Sequence, residues 1–249
     1  MKFFKNLWAI FVVLNSLISA GKAGKEIDHA RIEGNIPEEK KCIRTATSGW
    51  ASKIVNAFDM HIHISGEENI PADGPVVFIA NHQSYLDIVV FLFVMKKLQI
   101  GFIAKNALAK VPLLGRWIRR IRGIFINRED PKSSLQTINE GVDLLKNGFS
   151  LVIFPEGTRS RSAKMNKFKA GSFKLATKAK AVIVPITLDG TYKVYENSGM
   201  VTKGIDITFD IHPQIPTADF KRQDILALPQ MVEDVISGDL QQQNEDVCE

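Results

Sequence analysis

The sequence has 249 residues, of which 45% are hydrophobic and 24% are charged. This composition is typical of one globular domain and argues against a disordered chain. The formal net charge of +5 favours anionic partners such as phosphate groups, acidic lipid surfaces or nucleic acid, and does not distinguish among them. The two cysteines, Cys42 and Cys248, are too far apart to form a CxxC redox or zinc motif.

The first 20 residues form a hydrophobic segment. Lys2 and Lys5 precede an apolar run that begins at Leu7 and continues with interruptions to Ala20. A helix over this run is short for crossing a membrane, since the hydrocarbon core takes about 20 residues. Three interpretations remain open: a cleaved secretory signal, a transmembrane anchor, and a helix lying in the membrane interface. The last two predict that the N-terminal part anchors the protein to a membrane.

Residues 21–58 connect this segment to the rest of the chain. The stretch 21–49 is polar and mixed in charge, and it predicts a linker. Beyond it, apolar side chains at Trp50, Ile54 and Phe58 have the spacing of one face of an amphipathic helix. We therefore expect a linker that ends in a short amphipathic helix.

Residues 59–236 alternate short β-rich runs with helical stretches. Alternation at this pace predicts an α/β domain, with a mostly parallel central sheet of about seven strands flanked by helices. The predicted strands are 61–65, 76–80, 101–105, 123–128, 151–154, 182–186 and 206–211. The predicted helices are 86–97, 113–122, 133–147 and 168–179. The polar tail over 237–249 is expected to fray.

The first candidate site follows the predicted strand 76–80, in the sequence NHQSYLD from Asn81 to Asp87. A histidine positioned by a carboxylate is the usual group for taking a proton from a hydroxyl near neutral pH. Five residues along an ideal helix separate two side chains by about 140°, so His82 can meet Asp87 only from the preceding loop. The alternative is a helix capping box formed by Ser84 and Asp87, which explains the carboxylate without catalysis.

The second candidate site is the sequence FPEGTRS, which begins at Phe154 at the end of the predicted strand 151–154. Its glycine and hydroxyl residues can offer backbone N–H groups to an anion, and Arg159 supplies a bidentate charged fork. A strand-to-loop turn containing proline and glycine explains the same residues. The local pattern therefore indicates an anion site or a turn and does not decide between them.

The third candidate site is basic. Four arginines lie in a short segment that is predicted to be helical, and Arg128 closes the next predicted strand, 123–128. The segment is typical of a helix that faces membrane or phosphate groups, or of a solvated charged face, and the second interpretation fits most of its arginines better. The four arginines are Arg116, Arg119, Arg120 and Arg122.

All three candidate sites fall at the carboxyl end of a predicted strand. In open α/β sheets, ligands bind at this edge. If the strands are parallel, His82, Arg128 and Arg159 share one crevice, in which a base lies between two guanidinium groups. Such a crevice suits an anionic substrate that carries a reactive hydroxyl.

In combination, these motifs resemble a known family. NHQSYLD is similar to the NHxxxxD signature of the glycerolipid acyltransferases, and FPEGTRS resembles a second motif of that family. The segment 105–128, the VPI sequence at 184–186 and the GEENIP turn at 66–71 also resemble family motifs, in the family's order. The resemblance covers about residues 50–215, and the branch it favours is 1-acylglycerol-3-phosphate acyltransferase.

The resemblance implies a reaction and roles for the site residues. A fatty acyl group passes from acyl-CoA or acyl carrier protein to the sn-2 hydroxyl of 1-acylglycerol 3-phosphate, giving phosphatidic acid for phospholipid biosynthesis. His82 is expected to be the general base and Asp87 to orient it, with no cofactor and no metal. Because a thioester is already activated, no acyl-enzyme is needed, and Ser84 is not assigned as a nucleophile. The residues expected to bind substrate are Arg128, Glu156, Gly157, Thr158 and Arg159.

The resemblance also implies partners and a location. We expect a lysophospholipid acceptor, an acyl thioester donor that includes acyl carrier protein as an option, and an anionic membrane surface at the cytoplasmic face of the cell membrane. Nucleic acid is not expected, because no reading motif accompanies the charge. The alternative function is transfer to another acceptor, such as glycerol 3-phosphate or another lysolipid. A serine esterase is disfavoured because no GxSxG elbow is present. A non-catalytic lipid-binding module is disfavoured because both His82 and Asp87 are present.

Overall fold

A mostly parallel sheet forms the centre of the molecule in a computed structural model, which describes residues 2–19, 21–127 and 130–246. Its strands are β1 (Met60–Ser65), β2 (Val76–Ala80), β3 (Ile100–Lys105), β4 (Ile124–Ile126), β5 (Ser150–Ile153), β6 (Val182–Asp189) and β7 (Ile205–Ile211). Their order across the sheet is β1-β7-β6-β2-β5-β3-β4. Within the described residues the β6–β7 pair is antiparallel and the other pairs are parallel. The predicted α/β fold with about seven strands is confirmed.

Helices cover both faces of this sheet. The α-helices are α1 (Lys2–Ser19), α2 (Gly21–Ile32), α3 (Ile36–Phe58), α4 (Asp87–Val94), α5 (Leu114–Arg120), α6 (Pro131–Lys146), α7 (Lys174–Ala179), α8 (Thr191–Val194) and α9 (Arg222–Asp246). Short 3₁₀-helical turns lie at Glu67–Asn69, Asn106–Lys110 and Ala170–Phe173. One face packs mainly against α3 and α4, and the other against α6, α7 and α9.

The central strands are buried on both faces, which explains their continuous apolar sequences. β2 and β5 are buried at every position, whereas β7 alternates buried and partly exposed residues because one of its faces is open. Phe91 of α4 lies over the middle of the sheet, with its ring centroid 5.0 Å from that of Phe209 and 5.9 Å from that of Phe154. The aromatic core therefore reaches the end of β5, where the second candidate site begins.

The stretch 21–49, predicted as a linker, is helical instead. Asn35 caps α3 by accepting a hydrogen bond from the Glu38 N–H at 3.1 Å, and a proline occupies the first turn, where a missing N–H has little cost. The buried residues of α3 are Glu39, Ile43, Ala46, Thr47, Ala51, Ile54, Val55 and Phe58. Half of these are Glu, Ala or Thr, so the hydrophobic periodicity upstream of Trp50 is weak. The predicted division of the chain at residue 59 stays a prediction.

The polar tail that was expected to fray is also helical, over its described part. α9 continues beyond residue 236 to Asp246, and Leu240 is only 4% exposed. The buried side chains of α9 recur at every fourth position: Leu228, Val232, Ile236 and Leu240. One further buried leucine thus extends the packed stripe into a region whose composition is almost entirely polar.

Two sets of ion pairs join α2 and α3 to the end of α5. The Glu39 carboxylate is 1% exposed, and its two oxygens lie 2.7 Å from Nε and Nη2 of Arg122. Arg31 of α2 reaches the same carboxylate at 2.7 Å. Arg120 forms a bidentate pair with Asp28, with its closest contact at 2.7 Å. We call these contacts the arginine clamp, and they fasten the N-terminal helices to the approach to β4.

The arginine clamp includes two of the four arginines of the basic segment 116–122. Arg120 and Arg122 are paired and partly buried, so the expectation of a solvated face is wrong for these two residues. Arg116 and Arg119 are exposed, and the Arg119 guanidinium lies 4.8 Å from the centroid of the Phe125 ring. No local pattern indicates the partners of the paired arginines, because the acidic residues lie more than 80 positions earlier in the chain.

Helix α1 leaves one apolar face uncovered. Its exposed side chains, between 38% and 65% accessible, are Leu7, Trp8, Ile10, Phe11, Leu14 and Ile18. Trp8 also contacts the end of α3, with its ring centroid 5.7 Å from that of Phe58. Among the described helices none is individually long and apolar enough to cross a membrane, although Asn6–Ile18 and Ala23–Ile32, bent by 41°, satisfy length and composition as a pair.

Candidate active site

His82 and Asp87 meet at the carboxyl end of β2. His82 lies in the loop between β2 and α4, and its Nδ1 atom is 2.7 Å from Oδ2 of Asp87, the first residue of α4. The predicted contact from loop to helix is therefore present. The His82 side chain is 17% exposed and the Asp87 side chain is fully buried, so the imidazole connects a buried charge to solvent.

The Asp87 carboxylate accepts several hydrogen bonds besides the one from His82. Its Oδ2 atom accepts from the backbone N–H groups of Gln83 at 2.7 Å and Ser84 at 3.0 Å, and its Oδ1 atom accepts from the Thr191 hydroxyl. The bond from Ser84 N–H is half of a capping box. The two interpretations of the sequence are thus compatible, because one carboxylate both closes the helix start and orients the histidine.

The surroundings of His82 fix the orientation of its ring. A carboxylate at Nδ1 holds the proton on that nitrogen, which leaves the Nε2 lone pair to accept a proton. The ring is stacked on Phe154, with centroids 4.1 Å apart and planes inclined by 16°. Rotation out of this plane would break both contacts. The arrangement can therefore act as a pre-oriented base.

Glu156 holds the backbone of the loop that carries His82. It is 2% exposed, and its Oε1 atom accepts the His82 backbone N–H at 2.6 Å. Its Oε2 atom accepts from both the backbone and side-chain N–H groups of Asn166, at 2.8 and 2.7 Å. Burial raises the pKa of the Glu156 carboxyl group, and these hydrogen bonds oppose that shift. The predicted contact of Glu156 with substrate stays a prediction; the structure gives it a positioning role.

Arg159 is held by two neighbours. Its Nη1 atom lies 2.8 Å from Oε1 of Glu196, and its guanidinium lies 3.4 Å from the centroid of the Tyr85 ring. Glu196 also accepts from the Ser84 hydroxyl at 2.7 Å. Because one of five guanidinium N–H donors accounts for the ion pair, other donors remain for an anion. Glu196 thereby joins the FPEGTRS segment to the loop that carries His82.

The remaining predicted site residues differ in how the structure places them. Gly157 has a φ of 77°, a conformation that glycine adopts without strain, and its N–H donates to the Phe154 carbonyl. Thr158 is exposed. Arg128 lies outside the described residues, and β4, which precedes it, is two strands away from β5. The common crevice predicted for His82, Arg128 and Arg159 stays a prediction, although Glu196 links Arg159 to the loop that carries His82.

Comparisons with known proteins identify the family. Residues 61–189, just over half of the chain, match the family model named Acyltransferase. The chain belongs to the acyltransferase family. The matched segment contains β2 to β6, all of β1 except its first residue, and both motifs described above.

Relatives of known name share this acyltransferase segment. The chloroplastic 1-acyl-sn-glycerol-3-phosphate acyltransferase LPAT1 of Arabidopsis thaliana is 40% identical over 147 residues, which are 58% of this chain and 40% of that protein. The 1-acyl-sn-glycerol-3-phosphate acyltransferase of Borreliella burgdorferi is 28% identical over 175 residues, 70% of each protein. The chain spans less than half the length of its Arabidopsis, Brassica napus and Chlamydomonas relatives.

A solved structure resembles the whole fold. The crystal structure of the 1-acyl-sn-glycerophosphate (LPA) acyltransferase PlsC from Thermotoga maritima aligns with a TM-score of 0.81 at 25% identity. The alignment covers 98% of this chain and 96% of that one. The similarity therefore includes the N-terminal helices, which lie outside the matched acyltransferase segment.

Two residues of the site lie beyond that segment and were not predicted. Thr191 and Glu196 follow β6, which runs to Asp189, three residues beyond its predicted end at 186. The carboxyl end of β6 adjoins that of β2, and the Asn81 side chain bridges them through bonds of 2.7 and 2.8 Å to the Leu188 backbone. The three candidate sites predicted from the sequence lie at the carboxyl ends of predicted strands. Had β6 been predicted to end at Asp189, the same criterion would have included the residues that follow it.

Proposed function

We propose that this protein transfers a fatty acyl group from an acyl thioester to the sn-2 hydroxyl of 1-acylglycerol 3-phosphate, giving phosphatidic acid. The observation that carries the proposal is the His82 ring, oriented by the buried Asp87 carboxylate at 2.7 Å within the acyltransferase segment. The names of the relatives and of the structural neighbour agree with this substrate class. Transfer to another lysolipid or to glycerol 3-phosphate is the alternative.

The geometry supports a direct transfer. Nε2 of His82 takes the proton of the acceptor hydroxyl as its oxygen attacks the thioester carbonyl carbon. The tetrahedral intermediate then collapses, the C–S bond breaks, and the thiolate recovers the proton from His82. A positioned base of this kind supplies about 10²–10⁴-fold in rate. Asp87 stabilises the imidazolium that forms between the two proton transfers.

Lipid mass analysis tests the proposed reaction. The purified full chain is incubated with mixed acyl-CoA species and, in separate reactions, with lysophosphatidic acid, glycerol 3-phosphate or lysophosphatidylcholine. We expect phosphatidic acid to be the dominant product, at a rate well above that of the other acceptors. Acylation of another acceptor alone would establish the alternative. Release of free fatty acid without transfer would contradict both.

We infer that Arg159 binds the acceptor phosphate, together with Arg128, which follows β4 in the sequence. A charge-assisted, bidentate pair with phosphate needs the planar guanidinium, and lysine does not reproduce that geometry. Arg159→Lys is therefore expected to raise the KM for lysophosphatidic acid by about tenfold or more, on the order of 1.4 kcal/mol. The KM for the acyl donor should change far less. Steady-state kinetics in detergent micelles, with each substrate varied in turn, measure both constants.

Two variants separate phosphate binding from a structural role of Arg159. Arg119→Ala removes an exposed arginine outside the crevice and should leave the acceptor KM unchanged. Glu196→Gln removes the charge partner of Arg159 without removing the guanidinium. If Arg159→Lys lowered the melting temperature and left both KM values alone, the residue would serve only to hold Glu196 and Tyr85.

We propose that α1 binds the surface of a membrane and that the site works at the cytoplasmic face of the cell membrane. The apolar residues exposed on α1 recur at helical spacing, which is the pattern of a helix that lies in the interface. The acceptor and the product are both lipids, and acyl-CoA and acyl carrier protein are available from the cytosol. A cleaved secretory signal over the same residues remains the alternative and would separate the site from these donors.

Vesicle flotation tests the contact through α1. Replacing Ile10, Phe11 and Leu14 by serine is expected to release the full chain from phosphatidylglycerol vesicles, because three of the six exposed apolar side chains of the helix are lost. The matched control replaces Ile225, Leu226 and Met231 by serine, three exposed apolar residues of α9, and should float like the unmodified chain. N-terminal sequencing of the protein from cells checks cleavage. A mature form that began near Gly21 would contradict anchoring.

A further inference from the structure

A loop beside the active site carries several basic side chains and no acidic ones. Residues 157–169, which we call the basic loop, contain five Lys or Arg and no Asp or Glu: Arg159, Arg161, Lys164, Lys167 and Lys169. The whole sequence has 32 basic and 27 acidic residues, so the 27 basic residues outside the loop balance the 27 acidic ones. The loop itself therefore carries a formal charge of +5.

Four of these five cations are exposed to solvent. Arg159 is held by Glu196, whereas Arg161, Lys164, Lys167 and Lys169 are all exposed. Within the described part of the chain, no carboxylate lies at ion-pair distance from any of the four. Like charges held close together repel one another, and a bound anion would relieve that repulsion.

The backbone of the basic loop is tied to the candidate base. The Ser160 N–H donates to the His82 carbonyl at 2.7 Å, and Asn166 bonds to the Glu156 carboxylate that accepts the His82 N–H. The Lys169 N–H donates to the Pro155 carbonyl at 3.0 Å. The loop is therefore attached at its start, its middle and its end to the residues around His82.

These attachments limit how far each cation lies from the site. Arg161 follows Ser160 directly, Lys164 precedes Asn166 by two residues, and Lys167 follows it directly. Because consecutive Cα atoms are about 3.8 Å apart, each of these residues has its Cα within about 8 Å of an attachment point. The backbone that carries the four cations is thus anchored to the segments around His82, and the cations do not belong to a freely moving tail.

The side chains of the loop favour phosphate groups over a lipid interior. No residue of the basic loop is a large exposed hydrophobic, since Phe168 is buried and Met165 is partly buried. A membrane-binding loop typically combines basic with exposed apolar side chains, and in this chain the exposed apolar face is on α1. A row of exposed Lys and Arg suits a flexible polyphosphate ligand, in which each phosphate oxygen accepts charge-assisted hydrogen bonds.

We propose that the basic loop binds the phosphate groups at the nucleotide end of acyl-CoA. This proposal rests on the proposed acyl transfer and names the donor side of the same site. The thioester is at one end of the CoA arm, and the diphosphate and 3′-phosphate are at the other. When the thioester carbonyl lies at His82, the phosphates therefore lie away from the reacting atoms, along one wall of the site. Arg161, Lys164, Lys167 and Lys169 form that wall.

Direct binding of CoA tests the proposal without requiring turnover. Isothermal titration of the full chain with CoA, dephospho-CoA and pantetheine is compared for the unmodified protein and a variant in which Arg161, Lys164, Lys167 and Lys169 are all Gln. We expect the variant to bind CoA at least about tenfold more weakly. Dephospho-CoA should bind the unmodified protein more weakly than CoA, and pantetheine should bind both proteins alike.

Matched variants separate the effect of the loop from that of total charge and from misfolding. The control replaces Lys132, Lys146, Lys221 and Arg222 by Gln, four exposed cations elsewhere, and should bind CoA normally. A second loop variant, Arg161→Lys with the three lysines changed to Arg, keeps the charge and should keep the affinity. A loop variant with a normal melting temperature and unchanged CoA affinity would overturn the proposal.

Kinetics with three donors identify other occupants of the loop. The loop variant should raise the KM for acyl-CoA at least about tenfold and leave the KM for acyl-pantetheine and for lysophosphatidic acid unchanged. A loss confined to acyl carrier protein as donor would assign the loop to that protein and overturn the proposal. A loss confined to binding of anionic vesicles would assign it to the membrane and overturn the proposal as well. If the unmodified protein bound CoA through the loop but acylated none of the acceptors, the proposed function would fail and the CoA site would stand.

Discussion

Replacing His82 by alanine is expected to lower turnover by about 10²–10⁴-fold, the range that a positioned general base supplies. The fold should persist, because the residue lies in a loop and its side chain is partly exposed. The neighbouring Phe154 and Asp87 keep their remaining contacts with the core and with the backbone. Turnover with saturating substrates and the melting temperature, measured on the same preparation, test the expectation.

A second histidine provides a control for this variant. His212 is also partly buried, and its Nε2 atom lies 2.7 Å from the Thr187 hydroxyl, on a different part of the sheet. His212→Ala should lower the melting temperature and spare turnover. Full activity in His82→Ala would rule out His82 as the general base. A collapse of the fold in that variant would require the test to be repeated with His82→Gln, which keeps a polar side chain of similar length.

Asp87→Asn is expected to affect stability and turnover together. The buried carboxylate accepts from His82, two backbone N–H groups and a hydroxyl, and an amide turns one acceptor oxygen into a donor. A buried donor without an acceptor costs about 1–3 kcal/mol. If the amide N–H faces Nδ1, the imidazole proton moves to Nε2, which then has no lone pair for the acceptor hydroxyl. We expect turnover to fall at least about 10²-fold.

The helix-capping interpretation alone predicts a different result. A pure cap contributes about 1 kcal/mol and has no influence on turnover. Asn35→Ala, which removes the cap of α3, is the matched control and should show only this loss of stability. If Asp87→Asn behaved like Asn35→Ala, with normal turnover at a slightly lower melting temperature, Asp87 would have no catalytic part.

Much of the sheet could be predicted from the sequence because its strands are buried on both faces. Runs such as Val76–Ala80 have no polar interruption, so strand, burial and parallel pairing follow from one pattern. The N-terminal helices could not be predicted in the same way. Their buried residues include Ala30, Ala46 and the charged Glu39, whose carboxylate pairs with Arg31 and with Arg122, 83 residues further along the chain.

The candidate site was partly predictable for a related reason. His82 and Asp87 lie five residues apart, so local geometry could decide whether they meet, and the structure places them in contact. The partners Thr191 and Glu196 lie more than 100 residues further along the chain and carry no motif of their own. Their role depends on β6 lying next to β2, a neighbour relation that the order of elements along the chain does not reveal.

The arginine clamp has a consequence for how this protein can be divided. The segment that the family model matches begins at residue 61, yet Asp28 and Glu39 bind the side chains of Arg120 and Arg122. Arg31 donates to the backbone carbonyl groups of Arg119 and Arg120. A gene fragment that began at the matched segment would leave two guanidinium groups without counter-charges and would uncover the face on which α3 packs. Recombination that exchanged the N-terminal helices between relatives would need to exchange α5 with them. The module that evolution can transplant is therefore larger than the module that sequence similarity outlines.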